Sequence, residues 1–150
     1  MKSWVWRKVV LLLLALLRQG VTPEKLALSI ALGIVVGVFP LLGTTTLLCA
    51  GVAVVLRLNL PAIQLVNYLI YPVQLMLLLP FLQAGSRVMG IADAGLSVAG
   101  ILTMLRSEPW ALARLIGTAS VGAILIWLVI SPIVAAALYL MLVPMLRRIQ

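Results

Sequence analysis

The stretch GVFPLLGT, residues 37–44, decides how this chain folds, because it places Pro40 and Gly43 close together inside an uncharged run. Proline lacks a backbone N–H and its ring clashes with the preceding helical turn, so a helix ends or kinks there. Glycine adopts the left-handed conformations in which many helices end. We therefore predict a break at Pro40 and Gly43, with one helix before it and another after it.

Outward from this break, charges divide most of the chain into three uncharged stretches, residues 26–56, 58–86 and 115–146. They hold 31, 29 and 32 residues, whereas one membrane span needs about 20 and two need about 40. Each has a proline near its middle: Pro40, Pro72 and Pro132. We interpret the first two as re-entrant helical hairpins broken at these prolines, with strongly tilted spans as the alternative. The third predicts a kinked transmembrane helix.

Composition indicates a membrane protein. Hydrophobic residues make up 65% of the 150 residues and charged residues 9%, against roughly 45–50% and about 25% in soluble domains. The mean hydropathy is +1.28. A soluble domain of this length cannot bury so much apolar surface. The sequence therefore predicts an all-α integral membrane protein with a single membrane domain over residues 1–150.

Charge placement bears on partners and orientation. Eleven Lys and Arg against three acids give a net charge of +8, but no basic stripe interleaved with aromatics indicates a nucleic acid partner. Cations flanking apolar runs are typical of segments at an anionic inner leaflet. A double hairpin places Arg57 and Arg87 on the cytoplasmic side with the N-terminal cations, as the positive-inside tendency prefers. Two full crossings would place Arg57 outside.

Residues that most enzymes use are scarce. The chain has no His, its acids are Glu24, Asp93 and Glu108, and Cys49 is its one cysteine. A catalytic triad that needs His is excluded, and a metal site of His and carboxylates has too few ligands. We expect no enzyme activity, no metal and no cofactor.

The remaining segments complete the predicted architecture. The apolar run 9–17 is too short to span a bilayer, and with Trp4 and Trp6 before it predicts an interfacial helix. One face of a later helix carries apolar residues at i, i+3, i+4 and i+7: Val98, Ile101, Leu102 and Leu105. This pattern predicts a short amphipathic helix on the membrane surface. The predicted interfacial helix occupies residues 1–19, and the two hairpins occupy residues 22–87. The amphipathic linker follows at residues 88–109 and the transmembrane helix at residues 110–148.

Broken helices at membrane depth supply one set of candidate binding residues. Backbone groups freed by a break are tolerated only where protein or a wet cavity meets them, and the N-terminus of a half-helix attracts anionic groups. We predict that Thr44, Thr45 and Thr46 open such a half-helix and bind a phosphate or carboxylate. The alternative is that Thr44 caps the helix while its neighbours bond back to carbonyls.

The second stretch supplies the other candidates. Four polar residues recur at helical spacing, Gln64, Asn67, Tyr68 and Tyr71, and Gln74 follows them. We predict that Asn67, Tyr71 and Gln74 line a substrate path, with interhelical hydrogen bonding as the alternative. We place Arg57 and Asn59 at the interface, in contact with lipid headgroups.

Several motifs across residues 20–90 carry a family resemblance. They are Thr22-Pro23-Glu24-Lys25, Gly33 with Gly37, Phe39-Pro40-x-x-Gly43, Arg57-x-Asn59, and Asn67 with Pro72 and Pro80. Together they closely resemble the bacterial membrane family called domain of unknown function 2062, and residues 115–148 resemble it more loosely. The resemblance implies an architecture and no assigned activity. A looser analogy is to DedA-type membrane proteins, which pair re-entrant hairpins with spanning helices and are linked to moving lipid carriers.

Two functions from different classes follow. One is a transporter or scramblase-like carrier of an anionic lipid or lipid-linked metabolite. The alternative is a non-catalytic structural or assembly factor for other membrane proteins or the bilayer. We expect anionic membrane lipids as partners, a homo-oligomer, and a place in the bacterial inner (cytoplasmic) membrane with the N-terminus in the cytoplasm.

Overall fold

The computed structural model describes residues 2–19, 21–91 and 96–149, which form six α-helices and, within those ranges, no β-strand. The helices are α1 (Lys2–Arg18), α2 (Pro23–Gly37), α3 (Thr45–Val55), α4 (Leu60–Val88), α5 (Val98–Ser107) and α6 (Pro109–Arg147). By length and composition, α4 and α6 can each cross a membrane. The all-α prediction is confirmed for these residues. Part of the predicted amphipathic linker, residues 92–95, lies outside them.

Local sequence sets where three helices begin. The side chains of Thr22, Asn59 and Ser97 each accept a hydrogen bond from the backbone N–H three residues later, at 3.3, 2.8 and 3.0 Å. Such caps satisfy one of the N–H groups that a first helical turn leaves without a partner. They fix the starts of α2, α4 and α5.

Helices α2 and α4 run side by side in the same direction. The Asn59 N–H donates to Ser29 Oγ at 3.2 Å, nearly two turns into α2. Further along, a Cβ on Gly33 would come within 2.9 Å of Val66 Cβ, and a Cβ on Gly37 would lie closer still to Ile70 in the next turn of α4. The two glycines therefore let the backbones approach.

Helix α6 runs antiparallel to both. Gly85 of α4 and Gly122 of α6 face each other so closely that a Cβ on either would overlap the other backbone. At the far end of α6, Arg147 pairs with Glu24 at the start of α2, and Leu146 packs in the same apolar cluster as the first turns of α2 and α4. We name this end of the bundle the Glu24 end.

The predicted helix break at Pro40 and Gly43 is confirmed. Helix α2 ends at Gly37 and α3 begins at Thr45, with non-helical residues between. Gly43 has φ +83°, a conformation that suits glycine. Because Asn59 lies back beside Ser29, α3 returns the chain towards the Glu24 end. We name residues 23–58 the α2–α3 hairpin.

The predicted break at Pro72 is wrong. Helix α4 is continuous over 29 residues, with Pro72 and Pro80 inside it. A proline within a helix removes one hydrogen bond, whereas a full break leaves four N–H and four C=O groups without helical partners. Continuing is therefore the better solution in apolar surroundings. Arg57 and Arg87, predicted to share one side, consequently lie near opposite ends of a helix about 43 Å long.

The last apolar stretch is also one helix. Helix α6 has 39 residues with Pro132 and Pro144 inside it, and at about 58 Å it exceeds the thickness of a hydrocarbon core. The kink at Pro132 stays a prediction.

Helix α5 occupies the predicted amphipathic segment. Three residues of its apolar face are exposed, Val98, Leu102 and Leu105, whereas Ile101 packs against a cluster with Leu82. The face therefore points mostly outward, and its contact with a membrane surface stays a prediction.

Candidate functional site at the helix break

The carboxyl end of α2 receives hydrogen bonds from two other helices. Trp127 Nε1 of α6 donates to the Val35 carbonyl at 3.0 Å, and Gln74 Nε2 of α4 donates to the Phe39 carbonyl at 2.9 Å. The last turn of a helix leaves its carbonyls without intrahelical donors. Side chains of α4 and α6 therefore pair with two of the carbonyls at this break.

Pro40 shapes the turn that follows. It is buried, and the Leu41 N–H donates to the Phe39 carbonyl at 2.8 Å, closing a three-residue turn. The Phe39 ring meets Trp127 edge-on, with ring centroids 4.9 Å apart and an interplanar angle of 89°. This aromatic pair holds the indole where it reaches α2.

Gln74 is the most buried of the predicted binding residues, with 1% of its surface exposed. Its Nε2 is fixed on the Phe39 carbonyl, and its Oε1 is buried without a hydrogen-bond partner among the described residues. Rotating the amide would set two oxygens against each other, so Phe39 determines its orientation. A buried acceptor without a partner costs about 1–3 kcal/mol. Gln74 thus has a structural role and one unused acceptor.

The structure divides the predicted polar stripe between two faces of α4. Asn67 and Gln74, seven residues apart, face the hairpin and are 3% and 1% exposed. Tyr68 and Tyr71 face outward and are 61% and 46% exposed. Asn67 Nδ2 donates to Gln64 Oε1 at 3.4 Å, so this bond joins two residues of α4 itself. Of the predicted path residues on α4, Tyr71 is thus the one on the outer surface.

The three predicted threonines also differ. Thr45 is buried, Thr44 is half-buried and Thr46 is exposed. Thr44 stands at the N-cap position of α3, but its Oγ1 donates to the Leu41 carbonyl at 2.9 Å and makes no capping bond. The first intrahelical bond of α3 runs from the Leu48 N–H to the Thr44 carbonyl. The N–H groups before Leu48 therefore have no side-chain cap.

Gln64 joins this helix start to the exposed tyrosines. Its Nε2 donates to the Thr46 carbonyl at 2.9 Å, which sets the first turn of α3 against α4. Tyr68 and Tyr71 lie one and two turns further along the same side of α4. Since α3 and α4 run in opposite directions, both tyrosines lie beyond the start of α3. We name the surface formed by Thr46, Gln64, Tyr68 and Tyr71 the polar notch.

The two residues predicted to meet lipid headgroups lie away from the notch, at the Glu24 end. Asn59 is used by the fold: its side chain caps α4 and its N–H donates to Ser29. Arg57 is exposed with φ +53°. Two backbone hydrogen bonds of 3.3 and 2.8 Å close α3 around it in a Schellman motif, where glycine is usual.

Trp127 is the site residue that the sequence analysis missed. Its partner, Val35, precedes it by 92 positions, and no local spacing links the two. The sequence does single this residue out, because Trp127 is the one tryptophan in the uncharged stretch 115–146. An indole N–H in apolar surroundings needs an acceptor.

An ion pair joins the last turn of α6 to the first turn of α2 at the Glu24 end. Arg147 Nε and Nη2 both donate to Glu24 Oε1, at 2.9 and 2.6 Å. These hydrogen bonds lower the pKa of Glu24 below its usual value. Among the described residues, no three His, Cys, Asp or Glu side chains form a group that could hold a metal ion.

Comparison with known proteins gives a family. A family model described as "Uncharacterized protein conserved in bacteria (DUF2062)" matches residues 7–150, which confirms the resemblance seen in the motifs. No curated protein and no solved structure matches the chain.

Proposed function

This chain belongs to the bacterial DUF2062 family, and we propose that it acts in the membrane as a scramblase-like carrier of an anionic lipid. The observation that carries the proposal is the polar notch, an outward-facing polar surface beside a helix start without a side-chain cap. A lipid-linked metabolite with the same phosphate chemistry fits the surface equally well.

The depth of the notch supports this proposal. Helix α2 has 15 residues and therefore carries the chain about 22 Å from the Glu24 end. If that end lies at one interface, the break falls within a hydrocarbon core about 30 Å thick. Polar groups that face hydrocarbon are unfavourable, so a surface of this kind at this depth needs a polar occupant. A headgroup passing along the protein supplies one.

The chemistry of the notch suits a phosphate. Free N–H groups at a helix N-terminus and its positive dipole favour anions. The Thr46 hydroxyl and the two tyrosine hydroxyls add donors of the kind that phosphate oxygens accept. The acyl chains remain in lipid beside the exposed apolar residues of α3 and α4.

The proposed orientation follows from the same geometry. We propose that the α2–α3 hairpin is re-entrant, in the inner membrane, and that the Glu24 end and the N-terminus face the cytoplasm. Cations at that end support this orientation by the positive-inside tendency: Lys25, Arg57, Arg147 and Arg148. Three arginines lie towards the other end: Arg87, Arg106 and Arg114.

A second candidate is a non-catalytic assembly factor. Gln64 and Gln74 donate to backbone carbonyls outside α4, those of Thr46 and Phe39, which is the kind of bond that the interhelical alternative expects. In that case a second copy or another membrane protein covers Tyr68 and Tyr71, and no lipid moves.

The test is flux of a fluorescent phosphatidylglycerol across liposomes that contain the purified protein. We expect wild-type flux, and a loss of about tenfold in the double variant Tyr68→Phe, Tyr71→Phe, which corresponds to about 1.4 kcal/mol. Both phenols are exposed, so the change removes two hydroxyls and leaves packing intact. Tyr139→Phe, the same change at a half-buried residue of α6, is the matched control.

Two results would contradict the proposal. One is undiminished flux in the double variant when the fold is unchanged, which would remove the polar notch from the lipid path. The other is absence of flux in the wild type, and a membrane protein that co-purifies with the wild type and not with the double variant would then favour the assembly factor.

A further inference from the structure

An open groove with a volume of about 500 Å³ lies between α1 and α4. Its lining is almost entirely apolar and includes Leu12 and Ala15 of α1 and Leu65 and Leu69 of α4. Lys8 lines the same groove. This volume is within the range of about 300–1,000 Å³ that small-molecule sites occupy. An apolar groove with one cation in its lining fits an amphipathic anion.

Lys8 is placed to meet a headgroup. Its Nζ lies 3.8 Å from the centroid of the Trp4 ring, a cation–π contact that directs the ammonium towards the N-terminal end of α1. The residue is exposed, so its charge remains available to a ligand. Tryptophan and lysine together are typical of the boundary between lipid and water.

The depth of the α4 wall agrees with an acyl chain. Leu65 and Leu69 follow Asn59 by six and ten positions, which is about 9 and 15 Å along the helix axis from the start of α4. With the start of α4 at one interface, that depth corresponds to the acyl region of one leaflet of a core about 30 Å thick. The nearly apolar lining offers no partners for a peptide backbone, which needs its hydrogen bonds satisfied in such surroundings.

We infer that this groove, the α1–α4 groove, binds an anionic glycerophospholipid, with one acyl chain against Leu65 and Leu69 and the phosphate beside Lys8. The site differs from the polar notch, which lies on a neighbouring side of α4. Binding here does not depend on transport, because it concerns a lipid held at rest.

The test is native mass spectrometry of the full-length protein in detergent, equilibrated with equal amounts of phosphatidylglycerol and phosphatidylcholine of the same chains. We expect the wild type to retain phosphatidylglycerol about fivefold over phosphatidylcholine, the preference that one lysine near anionic lipid supplies. Lys8→Gln should retain both lipids equally. Lys25→Gln, an exposed cation outside the groove, should behave as the wild type.

A second variant tests the apolar part. Ala15→Phe fills the groove from an exposed position on α1, so both lipids should fall together while the fold, followed by circular dichroism, is unchanged. The inference is overturned if Lys8→Gln keeps the wild-type preference, or if Ala15→Phe keeps the wild-type amount of lipid. Neither result bears on flux, so failure here is distinguishable from failure of the carrier proposal.

Discussion

Pro40 and Pro72 lie in uncharged stretches of 31 and 29 residues, yet only the first lies at the end of a helix. At Pro40 the chain has Gly43 with a positive φ, and Trp127 and Gln74 donate to the carbonyls freed by the break. Around Pro72 the helix simply continues. The comparison teaches that a proline ends an apolar helix where the rest of the bundle supplies donors for the freed carbonyl groups.

The most severe way to break this comparison is Trp127→Ala. It removes the donor to the Val35 carbonyl and the ring packed on Phe39, so we expect a loss of about 3–5 kcal/mol. Thermal unfolding in detergent micelles measures it. Trp110→Ala, at an exposed tryptophan in the first turn of the same helix, should change stability by less than about 0.5 kcal/mol. Equal losses in the two variants would show that the break needs no partner.

Gln74→Leu is the milder removal of a partner. The substitution removes one of the two donors to the Phe39 carbonyl and also removes the unpaired Oε1. We therefore expect the free energy of unfolding to fall by about 1 kcal/mol, at the lower end of the range for a buried polar group that loses its partner. Gln83→Leu removes a similar bond, from Gln83 Nε2 to the Leu96 carbonyl, at an exposed residue. Its effect should be near zero in the same unfolding assay. A larger loss at Gln83 would contradict this view of the break.

Substituting the two prolines by alanine should change the stability of the protein in opposite directions. Pro40→Ala frees a buried turn and should destabilise the protein by about 0.5–1 kcal/mol. Pro72→Ala restores a helical N–H and should stabilise it by a similar amount, well below the roughly 3 kcal/mol measured in soluble helices, because α4 already tolerates the proline. The unfolding temperatures of the two variants test this prediction. A change in the same direction in both variants would contradict the distinction between the two prolines.

How much of this was visible in the sequence depends on the distance between partners. The break at Pro40 is local, since Pro40 and Gly43 lie three residues apart, and it was predicted. The continuous helix at Pro72 was not predicted, because a helix breaks at a proline only where distant side chains pair with the carbonyls that the break frees. Trp127 and Gln74 lie 92 and 35 positions from the carbonyls they meet, and no pattern within one helix encodes those pairs.

The candidate site was predicted in part for the same reason. Helical spacing grouped Asn67 with Tyr71, but the hairpin covers only one side of α4, so Asn67 is buried and Tyr71 is exposed. Spacing gives the angle of a residue around its helix. Spacing does not show how far the neighbouring helix extends. Helix α3 starts beside Gln64, so the tyrosines that lie beyond this start are exposed.

The smallest expected effect is the pH dependence of the ion pair at the Glu24 end. Its hydrogen bonds with Arg147 lower the pKa of Glu24 in the folded protein. The stabilisation is therefore complete above the unfolded pKa and is lost as the pH falls through the lower, folded pKa. The pair is exposed, so the effect should be slight. Glu24→Gln should flatten the fall in unfolding temperature below about pH 5, and an unchanged fall would assign it to other groups.

The central claim is that the chain turns back at Pro40 and passes straight on at Pro72. Single cysteines at exposed positions, in a Cys49→Ala background, test it directly in right-side-out and inside-out membrane vesicles: Thr22→Cys, Leu56→Cys and Met89→Cys. With a membrane-impermeant maleimide, we predict that positions 22 and 56 label from the same side and position 89 from the opposite side. Labelling of positions 22 and 56 from opposite sides, or of 56 and 89 from the same side, would contradict the account.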